Sequence, residues 1–417
     1  MPNYQIQGGH RLSGSIAVAG AKNAASKIIA AALLSDEPCV ITNTPQIDDA
    51  GHMLAILRDM GAEVTVAGDR ITINPATITS TAPSPELIRR SRSSIMLAGP
   101  VLARHGEVTL AHPGGCVIGK RPIDLFFEGF AKMGATIEEN GESYTLRATK
   151  LKGATIIMPF ISVTATESLM MTACLAEGTT TIINAAMEPE IPALADYLNR
   201  CGAQITGAGT PCITIVGVDK IGGDEYICIP DRIEAGSFVI MGLLTNSEIT
   251  VTKCNPDHLA VVIETLQRAG AQLEIGPDYI TTKPSQIKAV NMRTHEYPGF
   301  VTDLQAPFTV LMTQATGQSL IHELIFEGRL FYTDKLSQMG ANIIMCDPHR
   351  VIVSGPTPLH GKKLDSPDLR AGMALVLAGL VADGTTTIDH IQQIERGYEH
   401  LTDRLTALGA HITRHDD

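Results

Sequence analysis

The sequence predicts an α/β fold of two inside-out α/β barrel domains. Each is built from three repeated βαβαββ units, with buried helices inside and sheets outside. Three observations lead there. A Gly-Ala-x-apolar signature recurs at Gly61, Gly134, Gly202, Gly270, Gly340 and Gly409, at spacings of 73, 68, 68, 70 and 69 residues. Two kinds of helix alternate, one amphipathic and one apolar nearly all round. Short β-rich runs lie between them. The 417 residues are also too many for one hydrophobic core.

Each signature glycine closes an amphipathic helix, as in IPALADYLNRCG before Gly202 and YEHLTDRLTALG before Gly409. Glycine just past a helix end takes the left-handed conformation without strain and lets the chain enter a strand. HGEVTLAH, EGTTTIIN, NSEITVTK, TGQSLIHE and DGTTTIDH read as strands entered from turns. The other helices are AASKIIAAALL, SSIMLAGPVLA, TESLMMTACLA, AGSFVIMGLL, PFTVLMTQA and AGMALVLAGLVA. Being apolar on every side, they should be buried on every side. Three units per core give domains of ordinary size. Repeat counting alone puts the boundary near Pro230, since no Pro- or Ser-rich linker marks it.

Composition narrows the function. With 44% hydrophobic and 18% charged residues the chain can bury substantial cores. No apolar run approaches the roughly 18 residues of a membrane span, and the start MPNYQIQGGHR lacks the layout of a signal peptide. A cytoplasmic protein without membrane partners is expected. A net charge of −12 and the absence of Trp disfavour a nucleic-acid partner. Eight scattered cysteines, with no CxxC pair and no zinc spacing, read as free thiols in a reducing compartment, most of them small core residues.

Charges gather where the buried helices begin: Lys22 and Asn23 on the first, Arg92 before the second, Asp231 and Arg232 before the fourth, Asp303 before the fifth, Asp368 and Arg370 at the sixth. A helix start already carries the positive end of the dipole, so each added cation costs roughly 0.3–1 kcal/mol at an exposed site. One such cation is a solvated surface charge. A set of them in an acidic protein points to a bound polyanion. The segment HPGGCVIGKRPID nearly matches a phosphate-binding loop, but Arg121 and Pro122 stand where the Mg²⁺-ligating hydroxyl should follow, so an NTPase is rejected. What remains is a glycine-rich loop with one thiol, Cys116, close to cations that would lower its pKa. Asp303 is equally a helix cap or a general base. Arg329 and Arg396 sit in turns and, with Arg121 and Arg370, could clamp an anion. Glu188 and Glu190 read as ordinary helix-start acids.

AGAKNAA, SRSSIMLAGP, PGGCVIGKRPIDL, PDRIEAG, TDLQA, FEGR, DLRA and ERGYE occur in this order over the whole chain. The set resembles the enolpyruvyl transferase family, and within it the UDP-N-acetylglucosamine 1-carboxyvinyltransferases. The sister enzymes that make 5-enolpyruvylshikimate 3-phosphate lack the Pro-Gly-Gly-Cys loop. The resemblance implies a first domain over 22–229 and a second of 1–21 with 230–417, the active site lying in the cleft between them. It implies transfer of enolpyruvyl from phosphoenolpyruvate to the sugar 3-hydroxyl with release of phosphate, the first committed step of peptidoglycan synthesis. Cys116 would donate a proton and can form a covalent adduct, which makes it the target of the epoxide fosfomycin. Asp303 would take the hydroxyl proton. Lys22, Arg121 and Arg396 would bind phosphate, Arg329 and Arg370 the carboxylate side, and Asn23 both substrates. Arg92, Arg121, Pro122, Ile123, Asp124, Leu125, Ser162, Val163, Asp303 and Ile325 would line the UDP-sugar site. No cofactor and no metal is implied, since guanidinium groups stabilise the charge, and a monomer is expected.

The chain departs from the family's pattern at Asp48, where Lys is frequent, at Phe126 for His, at Phe160 for a diphosphate-binding Lys and at Thr164 for Gly. All but Asp48 fall on the nucleotide half. They support a second reading, a paralogue acting on another uridine nucleotide. A third, a sixfold-repeat ring clamping nucleic acid without catalysis, meets the charge of −12 and the reactive-loop cysteine.

Overall fold

A computed structural model describes residues 2–114 and 123–416, so Cys116, Arg121 and Pro122 lie outside the described residues. The chain forms two compact units. One takes residues 2–19 and 230–416, the other residues 20–114 and 123–229.

In the first unit, helices Arg232–Leu244, Gln305–Gln314 and Leu369–Val381 are buried almost end to end and pack on one another. Three four-stranded sheets accompany them, with strand orders that stay open. The sheet Met292–Arg293, Gly317–His322, Arg350–Gly355, Asn342–Asp347 shows the pattern. Its first two strands are parallel and flank a buried helix in sequence, and the other two pairings are antiparallel. The N-terminal strands complete the other two sheets. Ser13–Ala17 pairs in parallel with Glu248–Thr252, and Asn3–Gln7 lies antiparallel between Thr385–Asp389 and His411–His415.

In the second unit, helices Lys22–Ala31, Ala98–His105 and Val163–Ala173 form the interior. Two four-stranded sheets and one three-stranded sheet accompany them among the described residues. Glu225–Ile227, the last strand before the chain leaves this unit, pairs in parallel with Cys39–Thr42.

All six signature glycines have positive φ, between 95° and 106°. At each, the glycine N–H donates to the carbonyl three residues back and the following Ala N–H to the carbonyl five back, as in Gly202 to Asn199 and Ala203 to Leu198. This is the Schellman ending of a helix. It explains why Gly-Ala is the repeated pair: the glycine supplies the backbone and the alanine packs into the core.

Candidate active site

In the unit of residues 230–416, Asp303 sits in the single turn Thr302–Leu304 that leads into helix Gln305–Gln314. It caps neither. Its carboxylate is gripped on both sides. Arg329 Nη1 donates to Oδ1 at 2.8 Å, and Arg370 Nε and Nη2 reach Oδ2 at 3.0 and 2.9 Å. Arg329 and Arg370 are each 5% exposed. Burial would raise the Asp303 carboxyl, but Arg370 and then Arg329, by charge and hydrogen bonds, hold it well below the usual carboxylate range. Burial works against the Arg370 cation, and Asp303 more than restores it.

Local sequence explains how two arginines come to be buried here. Arg370 lies in the first turn of its helix, where a cation opposes the dipole. Asp368, the N-cap, answers it by accepting from Arg370 N at 2.8 Å and Ala371 N at 3.0 Å. The guanidinium lies 5.9 Å from the centre of the Tyr398 ring, and Tyr398 shares a 2.9 Å hydrogen bond with Ser237. Arg329 leaves the turn before helix Thr333–Gln338 and lies 4.8 Å over the Phe326 ring. Arg396 ends the short helix Gln392–Glu395, half-buried, with Nη1 3.4 Å from Gln393 Oε1.

Glu323 was not singled out from the sequence. It is fully buried and accepts from Ile325 N at 2.8 Å, Phe326 N at 3.1 Å and Thr302 Oγ1 at 2.8 Å. Thr302 Oγ1 in turn accepts from Arg329 Nη1 at 2.7 Å. One carboxylate therefore orients the backbone at Ile325 and, through Thr302, the guanidinium of Arg329. In sequence it is one acid after a strand, indistinguishable from Glu327 four residues on.

In the unit of residues 20–229, Lys22 and Asn23 open helix Lys22–Ala31 without a side-chain cap. The Lys22 ammonium lies 2.8 Å from Asp49 Oδ2, and Asp49 is 2% exposed. Asp48 beside it is exposed. Arg92 opens the turn Arg92–Leu97, half-buried, after Ser91 caps it through Ser93 N. Ser162 caps helix Val163–Ala173 by accepting from Ala165 N at 3.3 Å, which places Val163 and exposed Thr164 in the first turn. Phe160, two residues earlier, is 50% exposed. Ile123 and Asp124 begin helix Asp124–Lys132, with Asp124 exposed and Leu125 and Phe126 turned into the core.

Glu188 and Glu190 do lie at a helix start, but a buried one. They are 8% and 4% exposed, because the start of helix Glu190–Arg200 is packed inside this unit. Of the seven described cysteines, Cys39, Cys174, Cys201, Cys228 and Cys254 are buried and Cys212 and Cys346 exposed. Burial pushes the Cys174 thiol up to about 12 and those of Cys201 and Cys254 up to about 11. Among the described residues, no group of three or more His, Cys, Asp or Glu side chains is arranged to hold a metal ion. Among the described residues, no helix is long and apolar enough to cross a membrane.

The structure thus joins Asp303, Arg329, Arg370 and, through Glu323, Ile325 in one network. Two buried guanidiniums, held in place by the Asp303 and Glu323 carboxylates, offer planar sets of N–H donors of the kind that recognise a planar anion such as a carboxylate or phosphate. Comparison with known proteins gives the family. The sequence model of EPSP synthase (3-phosphoshikimate 1-carboxyvinyltransferase) matches residues 6–405. The UDP-N-acetylglucosamine 1-carboxyvinyltransferase of Psychromonas ingrahamii is 43% identical over 417 residues, covering 99% of each chain. That of Koribacter versatilis is 43% identical over 99% of this chain and 96% of its own. Among solved structures, the enolpyruvyl transferase NikO from Streptomyces tendae superposes with a TM-score of 0.90 at 26% identity, over 99% of this chain and 98% of its own. EPSP synthase from Acinetobacter baumannii, 20% identical, shares the fold with a TM-score of 0.77 over all of both chains. The chain belongs to the EPSP synthase family of enolpyruvyl transferases.

Proposed function

We propose that this protein transfers the enolpyruvyl group of phosphoenolpyruvate to the 3-hydroxyl of UDP-N-acetylglucosamine and releases inorganic phosphate, as the first committed step of peptidoglycan synthesis. The observation that carries the reading is the Asp303 carboxylate held between Arg329 and Arg370, in a chain 43% identical over nearly its whole length to carboxyvinyltransferases that bear this sugar in their names.

In the proposed reaction the Cys116 thiol protonates the methylene carbon of phosphoenolpyruvate. The adjacent carbon becomes oxocarbenium-like, and the sugar oxygen bonds to it while Asp303 takes the hydroxyl proton. Loss of a proton from the new methyl group then expels phosphate and restores the double bond. Arg329 and Arg370 hold the carboxylate side, Lys22, Arg121 and Arg396 the phosphate, and Asn23 both substrates. Arg92, Ile123, Asp124, Leu125, Ser162, Val163 and Ile325 belong to the nucleotide sugar, together with Arg121 and Pro122. Preorganised guanidiniums stabilise the anionic intermediate. What supports an inside-out barrel in each unit is the trio of buried helices accompanied by open sheets. The reading includes a cytoplasmic monomer.

Phosphate release from phosphoenolpyruvate, assayed against a panel of UDP-sugars, tests the assignment. Release with UDP-N-acetylglucosamine is expected. Half-exposed Phe160, where a diphosphate-binding Lys is frequent in the family, favours a second reading, a paralogue for another uridine nucleotide. Faster release with such a nucleotide would select it.

Cys116 should be the only fast-reacting thiol. Five of the other seven are buried, and a raised pKa leaves little thiolate in Cys174, Cys201 and Cys254. Fosfomycin should label Cys116 and stop turnover. Peptide mass spectrometry that finds another cysteine alkylated first would refute this.

A further inference from the structure

The unit of residues 20–229 buries an ion pair that the proposed reaction does not use. Lys27 lies four residues beyond Asn23 on helix Lys22–Ala31, and Glu167 four beyond Val163 on helix Val163–Ala173. Their side chains are 9% and 0% exposed, with Nζ 3.5 Å from Glu167 Oε2. Neither oxygen of Glu167 takes a hydrogen bond. A spacing of four is one helical turn, so the pair lies one turn below the residues assigned to the substrates. On the same helix Lys22 is tied to Asp49 of helix Asp48–Asp59. Two ion pairs to two different helices therefore hold one helix start.

Stability alone does not account for such a pair. Apolar side chains of the same volume usually serve as well or better in a core. The approach of 3.5 Å between helices is also directional where apolar packing is not. Burial pushes the Glu167 carboxyl up, to about 8, against the pull of Lys27, and Glu190 and Glu188 push the same way. Near neutrality the contact then joins a carboxylic acid to an ammonium, and above that range two full charges.

We infer that Lys27 and Glu167 are positioning residues. Their contact sets the register of the helix starts bearing Asn23 and Val163 and so tunes affinity for the nucleotide sugar, an inference that rests on the function proposed above. The test is the pH dependence of KM. Glutamine mimics the neutral acid but cannot form the charged pair. The ratio of KM for UDP-N-acetylglucosamine between Glu167→Gln and the unaltered protein should therefore stay within about twofold at pH 6.5. It should climb to about tenfold at pH 9, as the charged contact is lost. The kcat ratio should stay within about twofold throughout. Lys27→Met should show the same trend. A KM ratio constant across this range in both variants would overturn the inference.

Unfolding temperatures need no substrate and judge the pair apart from the assigned function. A carboxyl raised in the folded state contributes stability that is complete below its ordinary value of 4.5 and is lost as pH rises toward 8. Glu167→Gln escapes that loss. Its Tm, relative to the unaltered protein, should rise by about 5 °C between pH 5.5 and 8. A difference that does not change with pH would remove the titrating pair. Absence of phosphate release by the unaltered protein with any UDP-sugar would instead remove the function on which the KM argument stands.

Discussion

Asp303→Asn is expected to lower kcat by about 10²–10⁴-fold, while affinity for the nucleotide sugar changes by less than about tenfold. The side chain keeps its size and one acceptor oxygen, but an amide cannot take the hydroxyl proton. It also turns an NH₂ toward one of the two guanidiniums that now donate to the carboxylate at 2.8–3.0 Å. Because the arginines hold the carboxyl low, Asp303 stays ionised across the working range. Its share of stability is present above the ordinary value of 3.8 and is lost only as pH falls through the lower, folded value. The acid limb of kcat/KM in the unaltered protein should therefore belong to another group. Steady-state kinetics with isothermal titration of UDP-N-acetylglucosamine would check this. Near-normal turnover by folded Asp303→Asn would move the base elsewhere and leave Asp303 as the link between two arginines.

Repeat, succession of elements and helix type were legible because each rests on local chemistry. A glycine that must take positive φ, such as Gly202, is visible at a fixed distance from an amphipathic stripe. A helix such as Leu369–Val381, apolar all round, declares its burial. The arginines at helix starts were legible as a conflict with the dipole. The acids that pair with these side chains were not, because they come from elsewhere in the chain: Asp49 for Lys22, Asp303 for Arg370. Asp303 was left between cap and base, and it proved to be neither a cap nor a free carboxylate. Glu323 and Glu167 stayed hidden for the same reason. An acid looks alike in sequence whether solvent or three N–H and O–H donors surround it. Glu188 and Glu190 read as ordinary helix-start acids, and their burial did not show. Burial of a single acid depends on the pairing between elements distant in sequence, and no local pattern records it.

Arg370→Ala should cost more than any other change among the described residues of this site, about 10²–10⁴-fold in kcat/KM. Each charged hydrogen bond lost is worth roughly 1.5–3 kcal/mol, and the fork supplies two. Stability should fall as well. Removing one partner of a buried pair costs about 3–5 kcal/mol where the remaining charge is uncompensated. Here Arg329 still holds Oδ1, so the lower end of that range is expected. Arg370→Lys should recover part of the stability but little of the activity, since an ammonium cannot present two parallel donors to a planar anion. The same change tests the electrostatics of Asp303. Arg370 is the largest single influence holding that carboxyl down, so without it the carboxyl must titrate higher, and both stability and turnover should begin to fall at a higher pH on acidification. Urea unfolding and kcat/KM measured from pH 4 to 8 would show both effects together. An unchanged pH dependence of stability in folded Arg370→Ala would mean that Arg329 alone sets the charge on Asp303, and activity within tenfold of normal would remove Arg370 from the anion site.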